Sequence, residues 1–182
     1  DVNTFTDSAP PLFESACAPG ETTQVIFTGI DECGNSNFDT STVTVVDSTP
    51  PELTVNLVEA CLWPPNHKYV CFDDVSDQAQ FSDVCDDSPS LSISCTSNQC
   101  DNAPCIEHPG QSGDGNTVND CFYDPITDTL CARSERAGND KSGRTYTVTF
   151  EATDNCGLQS DEVGMTIHVP HEKPEPNTCL KP

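Results

Sequence analysis

Cysteine and aspartate are the residues of this chain best placed to do chemistry. Twelve cysteines lie among 182 residues, at positions 17, 33, 61, 71, 85, 95, 100, 105, 121, 131, 156 and 179. A zinc centre needs close thiolate pairs, but the tightest spacings, Cys95 to Cys100 to Cys105, are five residues, and Cys-x-x-Cys is absent. An even count at wide spacing is the pattern of a disulfide framework, which forms in oxidising compartments. The expected location is therefore extracellular or on a cell surface. Each bridge would add about 2–4 kcal/mol by limiting the unfolded chain.

The aspartates supply hard oxygen donors of the kind that bind Ca²⁺. Asp73, Asp74, Asp77, Asp83, Asp86 and Asp87 fall within fifteen residues, and Asp114, Asn116, Asp120 and Asp124 share a glycine-bearing stretch. From these, Asp83, Asp86, Asp114, Asn116 and Asp120 are the candidate ligands, with Ca²⁺ the one cofactor expected. The second stretch is not an EF-hand, because Val118 stands at the fifth ligand position and no Glu follows at the twelfth. Acidic loops are also commonly just a solvated surface, and both readings stay open.

Trp63-Pro-Pro-Asn-His-Lys is the most distinctive short segment. Trp63 beside His67 offers a stacking platform for a sugar ring. The same residues also make a structural corner, with two prolines fixing the turn and the indole filling a sandwich edge. Catalytic motifs are missing. His171-Glu-Lys-Pro-Glu starts like a zinc-helix motif, but Glu175 replaces the second histidine and prolines forbid the helix. No Gly-x-Ser-x-Gly, phosphate-binding glycine loop or Asn-x-Ser/Thr sequon occurs. No enzymatic activity is expected.

Seven Lys+Arg against thirty Asp+Glu gives 7 − 30 = −23. That charge opposes binding to nucleic acid or to an anionic bilayer. No apolar stretch approaches the ~20 residues of a membrane span, so membrane insertion is not expected. The chain opens at Asp1 without a basic and apolar leader, which reads as a mature or excised segment.

The elements that must position these residues are strands. Short β-branched runs recur at residues 24–28, 41–46, 53–58, 68–72, 90–95, 144–150 and 164–169, between turn signals and without a 3.6-residue apolar period. The expected fold is all-β, a disulfide-rich β-sandwich with little helix. An internal repeat subdivides it. Gly29-Ile-Asp-Glu-Cys-Gly-Asn and the following Thr42-Val-Thr-Val-Val align with Ala152-Thr-Asp-Asn-Cys-Gly-Leu and Met165-Thr-Ile-His-Val. Each copy reads strand, Asp-x-Cys-Gly turn, strand.

Asp47-Ser-Thr-Pro-Pro-Glu is the boundary, stiffened by its prolines. Residues 49–170 are long enough for a complete immunoglobulin-like sandwich of ~100 residues and about seven strands, with a cysteine-rich insertion at 95–121. Residues 1–48 make only an incomplete unit, and residues 171–182 a proline-rich tail. Among the cysteines, the turns at Cys85 and Cys156 suggest one bridge and Cys17–Cys33 another. Cys71 and Cys131 suit central strands, Cys95, Cys100, Cys105 and Cys121 would staple the insertion, and Cys61 and Cys179 are left for each other or for neighbours.

Pro19-Gly-Glu-Thr-Thr-Gln-Val, Asp31-Glu-Cys-Gly-Asn and Val43-Thr-Val-Val-Asp-Ser-Thr-Pro-Pro resemble the second half of a hyalin-repeat (HYR) domain. Leu62-Trp-Pro-Pro-Asn-His-Lys, Gly113-Asp-Gly, Ala132-Arg-Ser-Glu-Arg-Ala-Gly, Gly143-Arg-Thr-Tyr and Val169-Pro-His-Glu resemble an immunoglobulin-like repeat of secreted and surface proteins of bacteria. The extra cysteines and the 95–121 insertion depart from that pattern. The resemblance implies an adhesive or structural module of large extracellular proteins without activity of its own.

Two functions from different classes follow. In the first, the chain is a structural subunit of an extracellular filament or surface fibre. Its incomplete unit is completed by a strand from another copy, residues 1–7 being the better donor arm because the tail is proline-rich. In the second, it is a Ca²⁺-dependent adhesive or carbohydrate-binding module of a larger secreted surface protein, with glycans as its other partner class. The first is favoured because an open sheet edge calls for a partner.

Overall fold

The computed structural model describes residues 2–13, 17, 22–56, 59–101, 117–175, 179 and 180. Among the described residues the fold is all-β, with twelve strands and one short 3₁₀ turn, Ser76–Gln78. β1 (Val2–Asp7), β2 (Thr23–Asp31) and β3 (Ser36–Val43) form an antiparallel sheet by themselves. The remaining strands are β4 (Glu52–Val55), β5 (Ala60–Cys61), β6 (Tyr69–Phe72), β7 (Ala79–Ser82), β8 (Ser90–Ser97), β9 (Cys121–Asp124), β10 (Thr129–Arg133), β11 (Arg144–Thr153) and β12 (Val163–Val169).

These nine strands make a sandwich. One sheet runs β5-β12-β11-β8, the other β6-β10-β9, and β4 pairs with β7 beside them. β5 lies parallel to the last strand, β12, while the other pairings are antiparallel. The sheet that carries the last two strands, with β8 and β5 at its edges, packs against a second sheet of three, the two-sheet layout of an immunoglobulin-like β-sandwich. Side chains alternate between faces along each strand. On β11 this sends Tyr146, Val148, Phe150 and Ala152 into the core, all fully buried, with Leu91 and Ile93 of β8, Leu130 and Ala132 of β10, and Ile167 and Val169 of β12 around them.

The N-terminal sheet repeats part of this layout. The aligned Asp-x-Cys-Gly turns equate β2 with β11 and β3 with β12, and β1 then holds the place of β8. Val25 and Phe27 correspond to Val148 and Phe150. No counterpart of β6-β10-β9 covers this sheet among the described residues. Phe5 stacks on Phe27 at 5.9 Å between ring centres yet stays 65% exposed, and on the opposite face Ile26, Ile30 and Phe38 are exposed too. Residues 2–7, the expected donor arm, pair here with β2 of their own chain.

The disulfides differ from expectation in one respect. Cys71–Cys131 joins directly opposed positions of β6 and β10, Cys95–Cys121 closes the insertion and ties the two sheets, and Cys61–Cys179 fastens the tail to β5. Cys17, however, is bonded to Cys156 rather than to Cys33, which excludes the Cys85–Cys156 bridge as well. The reason is spatial: the long β1–β2 connection carries Cys17 across to the Asp-x-Cys-Gly turn of the sandwich, while Cys33 faces away as an exposed thiol.

Candidate metal centre

The motifs that look most like chemistry meet at one end of the sandwich and hold each other there. Asn66 and His67 donate their N–H groups to the Ser134 carbonyl (2.8 and 3.0 Å), Ser134 donates its N–H to the Lys68 carbonyl and its hydroxyl to that of Pro64. Arg136 donates to the carbonyls of Pro170 and His171 at 3.1 and 2.7 Å, gripping the Val-Pro-His-Glu segment. Tyr146 donates its hydroxyl to the Arg133 carbonyl. Gly143 is required at its position, with φ +80° and the Val169 carbonyl only 2.5 Å from where a Cβ would sit.

Inside this knot lies a buried ion network. Arg144, fully buried, reaches Asp120 Oδ2 at 2.8 Å and Glu135 Oε1 at 3.6 Å, while Arg133 reaches Asp120 Oδ1 at 3.1 Å and lies over the Tyr69 ring. Thr117 also hydrogen-bonds Glu135. Burial pushes the Asp120 carboxyl above the usual range, and Glu135 adds to the rise while Arg144 opposes it. Asp120 is thus not a Ca²⁺ ligand: two guanidinium groups occupy its oxygens and place positive charge where a cation would sit. His67 is used too, its Nδ1 2.7 Å from Glu135 Oε2 although the side chain is 59% exposed. Trp63 is half-buried and donates its backbone N–H to the Leu180 carbonyl. The backbone of Trp63 and the ring of His67 thus take part in a structural corner.

Among the other expected ligands, Asp86 accepts the Ser88 N–H on Oδ1 and the Asn155 N–H on Oδ2, so both its oxygens are committed. Asp114 and Asn116 lie outside the described residues. Asp83 is brought together with Asp47 and Asp154, two residues the sequence reading passed over. One carboxylate oxygen of each lies within 4.8 Å of the other two. Asp47 and Asp154 are each 6% exposed, and the Oδ2 atoms of all three are buried without a hydrogen-bond partner.

Three separate loops build this cluster. Asp47 comes from the Pro-Pro linker after β3, where its Oδ1 accepts the Thr49 N–H at 3.1 Å. Asp83 follows β7 and accepts the N–H groups of Cys85 and Asp86 at 2.8 Å. Asp154 follows β11 and accepts those of Cys156 and Leu158 at 2.8 Å. Each is a turn in which a short carboxylate caps its own backbone, a conformation that Asp favours. In each the second oxygen is left buried without a partner, and the three carboxylates converge. Asp83 was among the expected ligands and the Asp-x-Cys-Gly repeat marks Asp154, whereas no local pattern marks Asp47.

No protein-family profile matches the sequence, and no curated protein is significantly similar to it. Among solved structures, the fibronectin(III)-like modules of Clostridium thermocellum CbhA are similar over 82% of this chain and 63% of that one, at 11% identity and a TM-score of 0.34. The sialic acid binding region of a Streptococcus sanguinis SK1 adhesin, solved with 3'sLn, is similar over 82% of this chain and 37% of that one, at 16% identity and a TM-score of 0.29. The chain spans less than two thirds of either structure, and its assignment as an immunoglobulin-like sandwich rests on its own two-sheet layout.

Proposed function

We propose that the chain is a structural subunit of an extracellular filament or surface fibre, in which strands of a neighbouring copy complete the sheet β1-β2-β3. The observation that carries this reading is the internal repeat. β2 presents Phe27 where β11 presents Phe150, which in the sandwich lies under a second sheet; on this face Val25 is already buried, while Phe5 against Phe27 is 65% exposed. A three-stranded sheet with Phe5, Ile26, Ile30 and Phe38 in water is a surface that gains by association. A head-to-tail contact of this kind does not close on itself and makes a fibre.

Disulfide bonds support an oxidising, extracellular setting. The N-terminal sheet is, in this reading, the second half of a hyalin-repeat-like unit, and the module has no activity of its own. Glycan adhesion is the weaker alternative, because the corner that holds Trp63 and His67 is committed to internal bonds. The test is to follow the mass of the purified chain with concentration by light scattering and to image it by electron microscopy. Concentration-dependent growth is expected, suppressed by Phe5→Asp on the Phe27 face and by removal of residues 1–7, which takes Phe5 away. A chain that stays monomeric at every concentration sinks the proposal.

A further inference from the structure

Asp47, Asp83 and Asp154 place three acceptor oxygens around one buried point and supply no donor for any of them. The chain contains its own control for this arrangement. Asp31 occupies the same turn in the first repeat, and its Oδ1 accepts the N–H groups of Cys33 and Asn35 as that of Asp154 accepts those of Cys156 and Leu158. In the first copy the second oxygen is satisfied internally, by the Asn35 side-chain amide at 2.8 Å. In the second copy Leu158 replaces that asparagine, and Asp154 Oδ2 is left bare beside two more carboxylates. Buried carboxylates in native proteins are paired or coordinate a metal.

We infer that these three aspartates bind one Ca²⁺ ion at the join between the N-terminal sheet and the sandwich. A hard divalent cation answers three carboxylate oxygens with no nitrogen or sulfur ligand among them, whereas zinc and copper sites draw on His and Cys. Three loops from distant parts of the chain suit Ca²⁺, which accepts irregular shells of six to eight oxygens, better than Mg²⁺, which demands a near-ideal octahedron. Backbone carbonyls and water would complete the shell. The ion would join the linker leaving β3 to two turns of the next unit, and the turn it grips at Asp154 is the one that Cys156 bonds to Cys17. Its role is to fix the angle between the two units. The inference does not depend on the filament reading, because a monomer carries all three ligands.

The experiment uses the whole oxidised chain, stripped with chelator. Calorimetric titration with CaCl₂ is expected to show one saturable site per chain and a rise in melting temperature. Binding is expected to weaken at least tenfold in Asp47→Asn and in Asp154→Asn, which keep the turn-capping acceptor, and to stay unchanged in Asp87→Asn, an exposed neighbour. Ca²⁺ should also protect the 47–51 linker from proteolysis. Should either variant fail to fold, the wild-type melting curve decides alone. A wild-type chain whose melting temperature ignores Ca²⁺, or variants that bind as the wild type does, would overturn the site. An equal response to Mg²⁺ would overturn the choice of ion. A chain that binds Ca²⁺ but never polymerises leaves this inference standing and removes the filament.

Discussion

Replacing Arg144 by methionine isolates what the buried ion network contributes. Methionine keeps much of the side-chain length, so the main loss is electrostatic. Arg144 is fully buried, with Asp120 Oδ2 at 2.8 Å, Ser97 Oγ at 2.8 Å and the Gln99 carbonyl at 3.2 Å. Without it, the buried Asp120 and Glu135 are left with Arg133 and with the half-exposed His67, which reaches Glu135 alone. Breaking one side of a buried pair costs about 3–5 kcal/mol. At about 3 °C per kcal/mol for a chain of this size, the melting temperature should fall by roughly 10–15 °C. The assay is urea unfolding followed by circular dichroism, at about pH 7 and about pH 4.5.

The pH dependence separates charge from packing. Burial already raises the folded-state pKa of Asp120 above its unfolded value, and removing Arg144 takes away the group that opposes the rise. A carboxyl with a raised folded pKa destabilises the native state above that pKa. The burden lifts as pH falls towards the unfolded value. The deficit of Arg144→Met should therefore shrink on acidification, whereas a cavity would cost the same at both pH values. A loss below about 1 kcal/mol at neutral pH, or a loss unchanged by acid, would refute the reasoning.

Gly143→Ala should cost about 1–3 kcal/mol in chemical unfolding, since φ is +80° and the new methyl would meet the Val169 carbonyl. A neutral result would show that the segment can shift. Peptide mapping of the unreduced chain should recover Cys17 bridged to Cys156 and Cys33 alkylated; a Cys17–Cys33 peptide would contradict the fold's connectivity. Tyr123 is pushed up to about 12, first by burial and then by its hydrogen bond to Asp128. Ultraviolet titration should show one late phenolate that moves down in Asp128→Asn, and an unmoved midpoint would mean Asp128 does not act on it.

Much of the sandwich could be read from local pattern. Each of the seven β-branched runs overlaps a strand, because alternation and turn residues act over a few positions, though 41–46 and 53–58 run past the ends of β3 and β4. β5, β7, β9 and β10 escaped, being short or poor in β-branched residues; the β9–β10 hairpin turns on Asp124-Pro-Ile-Thr-Asp, with Asp128 at φ 51° rather than a glycine. The metal centre could not be read in that way. Density of aspartate drew attention to residues 73–87, but what selects Asp47, Asp83 and Asp154 is that the topology folds a linker and two turns onto one point. Asp120 looked like a loop ligand until Arg133 and Arg144, distant in sequence, claimed it. The Cys17–Cys156 bridge escaped for the same reason, since pairing within each repeat assumed that the units close separately.

That bridge has a mechanical consequence when taken with Cys61–Cys179. Between residues 17 and 179 the backbone runs 179 − 17 = 162 residues, but through the Cys17–Cys156 bond only 179 − 156 = 23 of them bear tension. At about 3.5 Å per residue, even complete unravelling lets these two points separate by roughly 80 Å instead of about 570 Å. β12 lies on that path, whereas β4 to β11 lie off it, so the pairings among those strands need not carry the load. A pulled chain would stop short after one brief extension, and a reducing agent would release the hidden length.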